Sequence, residues 1–290
     1  MTLEQLSIFV AVAEREHLTQ AAAALRLTPS AVSASIKALE NFYSVTLFDR
    51  VGRGIQLTRE GRVLLQDAKE TLARVKMTAA VLSELGGLKT GDLDIHASQT
   101  IANYWLPPLL LKFSQAYPGI SVNLTIENTA KVAAAVIAGD AELGFIEGTR
   151  NEPALAATAI ADDRLVLVAG LENANEINRE NLGSQRWILR ESGSGTRSVL
   201  EEALRAIGVS PSSLDVALIL PSNEAVLSAV RSGACVTALS EAIVTPFIQN
   251  GQLRAVEVEL PPRRFTLLRH KERHRTAPAR EFEAFCRANG

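Results

Sequence analysis

The chain has 290 residues, enough for two or three domains with separate cores. Hydrophobic residues make up 47% and aromatics 5%, so the interior is mostly aliphatic, and no run of about 18 apolar residues is present to cross a membrane. The net charge of −2 excludes a broadly basic body, so any surface meant for a polyanion must be local.

The first residues, MTLEQLSIFVAVAERE, carry acids inside their apolar pattern and lack a basic leader, so they read as an amphipathic helix rather than a signal peptide. Leu3, Leu6, Phe9, Val10, Val12 and Ala13 predict a helix over about 3–15. Thr19 is a candidate N-cap for a short helix over 20–25, and Arg26, Leu27 and Thr28 form a turn. Thr28 then caps a third helix with Pro29 at its first position. Ala31, Val32, Ser35, Ile36 and Leu39 are expected inside it. Ser30, Ser33, Ala34 and Lys37 are expected outside.

Two short helices separated by three residues outline a helix-turn-helix, which places one helix in the DNA major groove. The same spacing also fits an ordinary three-helix scaffold with a serine-rich surface. Residues 48–57, FDRVGRGIQL, read as a hairpin wing with Arg53 between two glycines at its tip. Arg50, Arg53, Arg59 and Arg62 supply a local cationic patch against Asp49 and Glu60. Thr28, Ser30, Ser33, Ser35, Lys37, Arg50 and Arg53 are therefore the candidate DNA contacts.

Residues 58–88 contain no proline, and Leu65, Ala68, Leu72, Val75, Ala79 and Leu82 step by three and four. That is a short seam, open to pairing with a second copy or to packing on its own domain. Gly86, Gly87 and Gly91 end the helix.

Beyond Gly91 strands and helices alternate. Strands are expected over 93–97, 120–126, 143–146, 165–169, 187–189, 216–220, 235–239 and 265–268. Helices are expected after the first strand, with Pro107 and Pro108 interrupting it, and over 130–138, 196–207, 224–231 and 279–287. Asn128-Thr129 and Ser222-Asn223 recur with the same downstream Val, Val, Gly spacing, an echo consistent with two related α/β units. In open α/β sheets ligands bind beyond the carboxyl ends of strands. Ser98, Gln99 and Thr100 open a helix after the first strand. The stretch 191–197, ESGSGTR, lies between a strand and a helix, where its glycines suit an anion nest and Arg197 adds charge. Glu147 ends another strand and opposes an anion unless offset.

The pattern Leu6, Phe9, Val12-Ala13, Thr19-x-Ala21-Ala22, Leu25, Ala31-Val32-Ser33, Ile36, Leu39-Glu40, Leu47-Phe48-x-Arg50, Leu57-Thr58 and Gly61 closely resembles LysR-type transcriptional regulators. Pro29 stands where that family often has glutamine, Ala34 where it often has a long polar residue, and Ser44 where it usually has glycine.

The resemblance implies an α/β protein with an N-terminal winged helix-turn-helix (1–58), a long dimerising linker helix (59–89) and a two-lobed effector domain similar to periplasmic binding proteins (90–290). Lobe I would comprise 90–161 and 266–290, and lobe II 162–265. It also implies dimers or tetramers on double-stranded DNA, the operator being an interrupted palindrome. It supports Ser98, Thr100, Thr129 and 194–197 as effector contacts. With Gln99, Asn128, Glu147 and Asn223, the expected effector set is Ser98, Gln99, Thr100, Asn128, Thr129, Glu147, Ser194, Gly195, Thr196, Arg197 and Asn223.

No enzyme chemistry is legible. Residues 270–274, HKERH, lack the glutamate of a zinc-protease helix, ESGSG is not a nucleophile elbow, and 191–197 lack the lysine of a P-loop. No catalytic residue, cofactor, metal or membrane partner is expected. Two separated cysteines, Cys235 and Cys286, suit a reducing cytoplasm. The competing reading is an enzyme or small-molecule carrier with an N-terminal oligomerisation bundle, which would not need a basic wing beside a serine-faced helix.

Overall fold

The computed structural model describes residues 1–51, 54–85, 90–173 and 177–289, which fall into two compact units. In the N-terminal unit, α1 (Leu3–Arg15) starts on a capping box. Gln5 N–H donates to the Thr2 hydroxyl at 3.1 Å, and Thr2 N–H donates back to Gln5 Oε1 at 2.9 Å. The helix α2 (Leu18–Leu25) is capped by His17, whose Nδ1 accepts from Gln20 N–H, and not by Thr19. His17 holds the extended backbone that a cap requires, whereas Thr19 already lies inside the first turn.

The helix α3 (Pro29–Tyr43) is capped as expected: Ala31 N–H donates to the Thr28 hydroxyl at 3.2 Å. It buries Val32, Ile36 and Leu39, a stripe one residue wide. Ala31 is therefore exposed and Ser35 half-buried rather than inward. Strands β1 (Phe48–Val51) and β2 (Gly54–Leu57) pair antiparallel with Phe48 opposite Leu57, forming the hairpin. Its tip residues, Gly52 and Arg53, lie outside the described residues.

The helix α4 (Arg59–Leu85) follows Thr58, whose hydroxyl accepts from Gly61 N–H at 2.9 Å. The seam along it is divided. Ala68 is buried in the core of this unit, with Leu65 and Leu72 packed beside it, while Val75 and Leu82 are exposed. The first half of the seam therefore packs on its own domain, and the second half is left exposed. The core itself is Phe9, Val12, Val32, Ile36 and Leu39 with their neighbours, each fully buried aliphatic or phenyl group contributing about 1.5–3 kcal/mol.

Among the described residues, the second unit contains two five-stranded sheets. The chain runs β3 (Gly91–Ser98), a π-helical turn (Ile101–Trp105), α5 (Leu106–Ala116), β4 (Ile120–Glu127), α6 (Thr129–Ala138), β5 (Leu143–Glu147) and β6 (Leu155–Asp163). It continues through β7 (Leu165–Ala169), β8 (Arg186–Arg190), α7 (Gly195–Ala206), β9 (Asp215–Leu220), α8 (Asn223–Arg231), β10 (Val236–Ser240), α9 (Glu241–Gln249) and β11 (Arg254–Ala255). Strand β12 (Arg263–His270) and α10 (Ala277–Asn289) follow. The first sheet has the order β4-β3-β5-β12-β6 and the second β11-β7-β10-β8-β9. The chain therefore passes between lobes twice, at Asp163–Leu165 and again before Arg263.

Pro107 and Pro108 lie in the first turn of α5, and the helix that opens after β3 is broken just ahead of them. Immediately before them the backbone takes the wider π form, a distortion often found at functional sites. Strand β6 and helix α9 were not expected from the sequence. The strand is alanine-rich and ends in two aspartates, and the helix carries Pro246 internally.

Candidate functional site

In the N-terminal unit, Thr28, Ser30, Lys37 and Arg50 are exposed, and Ser33 and Ser35 are half-buried. The Thr28 and Ser30 hydroxyls lie 3.0 Å apart, so the start of α3 presents a paired hydroxyl surface. Two carboxylates set the hairpin against the helices: Glu40, which the family pattern includes without a role, and Glu16, which it does not include. Glu40 Oε1 accepts from Leu47 N–H at 2.7 Å and from Phe48 N–H at 3.3 Å, tying the end of α3 to the start of β1. Glu16 Oε1 accepts from Leu57 N–H at 3.3 Å. A Cβ on Gly61 would fall 2.3 Å from the Leu47 carbonyl oxygen, so only glycine lets α4 lie so close to the strand. A hydroxyl-faced helix beside a hairpin held in fixed register can dock on a phosphate backbone and offer donors to base edges.

In the second unit, the helix starts from both lobes meet. Asn223, at the first turn of α8 in lobe II, is fully buried. Its N–H donates to Gln99 Oε1 at 2.8 Å, and its side-chain Nδ2 donates to the Thr100 hydroxyl at 3.1 Å. Gln99 Nε2 donates in turn to the Pro221 carbonyl at 3.2 Å, and Asn103 Nδ2 to Glu224 Oε1 at 3.3 Å. Burial and then the Glu224 carboxylate push the neighbouring Tyr104 phenol above its usual value, which keeps it a hydrogen-bond donor.

Further along the same line, Asn128 Nδ2 donates to Glu191 Oε1 at 3.3 Å, and Ala130 N–H to the Gly193 carbonyl at 3.1 Å. Gly193 has φ +87°, a left-handed turn that a side chain would strain. Ser194 caps α7, accepting from Arg197 N–H. Thr129 donates its hydroxyl to Glu147 Oε2 at 3.2 Å, and both are buried. A Cβ on Gly195 would fall 2.5 Å from the Thr129 hydroxyl and 2.9 Å from Glu147 Oε2, so α7 closes directly over this pair.

The structure thus gathers Ser98, Gln99, Thr100, Asn128, Thr129, Glu147, Ser194, Gly195, Thr196 and Asn223 around one interlobe boundary. Arg197 lies in the first turn of the same helix, α7. Its Nε pairs with Glu201 at 2.7 Å and its Nη1 donates to the Arg190 carbonyl, so its charge is already met within α7. A second guanidinium at this boundary is Arg190, which the sequence reading missed. Arg190 is buried, pairs with Glu191 at 2.8 Å and donates from Nη1 to Asn223 Oδ1. Its position as the last residue of an apolar strand was the available signal.

The architecture is that of a helix-turn-helix regulator joined to a two-lobed ligand-binding domain. Residues 3–62 match the family model for bacterial regulatory helix-turn-helix proteins of the lysR family, and residues 86–290 match the LysR substrate binding domain. The chain is 33% identical to the HTH-type transcriptional regulator YeiE of Escherichia coli (strain K12), over 99% of this chain and 97% of that protein. It is 31% identical to the regulator CbbR of Rhodospirillum rubrum, over 99% and 96% respectively.

Among solved structures, full-length CbnR complexed with its target DNA superposes with a TM-score of 0.71 at 21% identity, covering all of both chains. OxyR from Pseudomonas aeruginosa superposes with a TM-score of 0.69 at 19% identity, over 99% and 93%. The chain belongs to the LysR family of transcriptional regulators. The matching families and relatives are regulators and not enzymes, which answers the competing catalytic reading.

Proposed function

We propose that the protein is a cytoplasmic regulator that binds an interrupted palindromic DNA site as a homodimer, assembling further to a homotetramer, and that a small-molecule effector held between its lobes modulates this binding. The observation that carries the DNA half is the exposed hydroxyl face of α3 beside the Arg50 hairpin. Thr28, Ser30, Ser33, Ser35 and Lys37 contact phosphates and base edges, while Arg50 and Arg53 contact the flanking backbone or minor groove. The exposed Val75 and Leu82 on α4 support pairing with a second copy. The effector contacts Ser98, Gln99, Thr100, Asn128, Thr129, Glu147, Ser194, Gly195, Thr196, Arg197 and Asn223, and its arrival changes the lobe angle and hence the spacing of the DNA-binding units.

Anisotropy titration of operator fragments at several salt concentrations tests the first half. Arg50→Ala and Arg53→Ala should each weaken binding and lower the salt slope by about one. Unchanged slopes in both would remove the hairpin from the interface. For the second half, Thr100→Val should impair the effector response while leaving DNA affinity intact; an unaltered response removes Thr100 from the site.

A further inference from the structure

Among the described residues, two buried donors beside the interlobe boundary have no partner: the Ser98 hydroxyl and Arg263 Nη2. Ser98 ends β3 and Arg263 begins β12, with β5 lying between these strands and ending at Glu147. Phe265 is the register partner of Glu147, so Arg263, two residues earlier, lies on the same sheet face just beyond the glutamate.

The remaining nitrogens of Arg263 are fixed. Nε pairs with Asp163 Oδ2 at 2.5 Å, and Nη1 donates to the Thr196 hydroxyl at 3.1 Å. Asp163 is itself held by the Ser240 hydroxyl at 2.7 Å. Arg263 thus joins both interlobe crossings to the start of α7 and holds one N–H back. Buried guanidinium donors are normally satisfied, so a buried N–H held in place without an acceptor points to a ligand oxygen.

Glu147 constrains what that ligand can be. A fully deprotonated anion here would set two negative charges side by side, whereas an anion retaining a proton can donate it to the carboxylate. A methyl added at Gly195 would meet both Thr129 and Glu147, so the start of α7 lies close over the carboxylate. Resting on the reading of the interlobe boundary as the effector site, we propose that Arg263 is an effector-binding residue. Its Nη2 donates to a small oxyanion that carries a proton of its own, and Glu147, on the same sheet face, accepts from that proton.

The test is calorimetric titration of the full chain at slightly alkaline pH with hydrogen phosphate, bicarbonate, sulfate and nitrate, of which only the first two keep a proton. At least one of that pair should bind about tenfold or more tightly than sulfate and nitrate. Arg263→Gln should weaken this binding about tenfold or more, and Arg263→Lys, which keeps the charge beside Asp163 but loses the second fork nitrogen, should weaken it as well. Glu147→Gln should remove the preference for the proton-bearing ion.

Equal binding of sulfate or nitrate, or no binding of any of the four at millimolar concentration, overturns the proposal. So does wild-type affinity in Arg263→Lys, the variant that decides if Arg263→Gln fails to fold. Loss of binding in Thr100→Val with normal binding in both Arg263 variants contradicts the anchor alone. Normal binding in all three contradicts the cleft reading with it.

Discussion

Glu40 ties the end of α3 to the start of β1, and Asn223 joins two segments distant in sequence. Removing the Glu40 carboxylate in Glu40→Ala leaves Leu47 N–H without its acceptor, so the N-terminal unit should lose about 1–3 kcal/mol, read by denaturant unfolding, and DNA affinity should fall with it. Asn223→Ala breaks the contacts to Thr100 and to Arg190 together, leaving a buried guanidinium short of one acceptor. Hydrogen exchange at the start of α8 should rise several-fold in this variant. Unchanged exchange would show that the lobes are held elsewhere.

Burial and the neighbouring Glu283 push the Cys286 thiol up to about 12, so in the native protein at pH 8 only about one part in 10⁴ is thiolate. A thiol reagent should therefore modify half-exposed Cys235 well before Cys286, and equal rates would contradict the packing around α10. Residues such as Ser98, Thr100 and Thr129 were legible because small polar residues after strands mark helix starts. Arg190 and Arg263 were not, because Asn223 and Thr196 come near them only in the tertiary fold.

At the scale of elements, the best-read pieces are those whose boundary chemistry is local: α3 with Thr28 and Pro29, β1 and β2, and the matching starts of α6 and α8 at Thr129 and Asn223. Strand β6 escaped because alanine carries little strand preference and its pairing with β12 is decided a hundred residues away. Pro246 likewise hid α9, whose burial of Ile243 and Val244 overrides the broken pattern. The junction of α4 with the hairpin is the most sensitive element contact. Gly61→Ala should destabilise the N-terminal unit by about 1–3 kcal/mol, because the added methyl meets backbone rather than a movable side chain. A thermal melt within error of wild type would contradict that close approach.

For the whole molecule, the sequence pattern conveys a DNA-contacting head, a long helix and two α/β lobes, since each layer has its own periodicity and turn signals. The identity of the bound effector is carried instead by a few buried donors and acceptors. On this reading, occupancy of the interlobe site changes how the protein holds DNA. Footprinting on the region flanking its own coding sequence, with and without hydrogen phosphate or bicarbonate, tests it most directly. The expected result is protection of an interrupted palindrome, weakening with salt and changing in length when the anion is added. Absence of protection at low salt, or a footprint indifferent to anions that bind the protein, would contradict it.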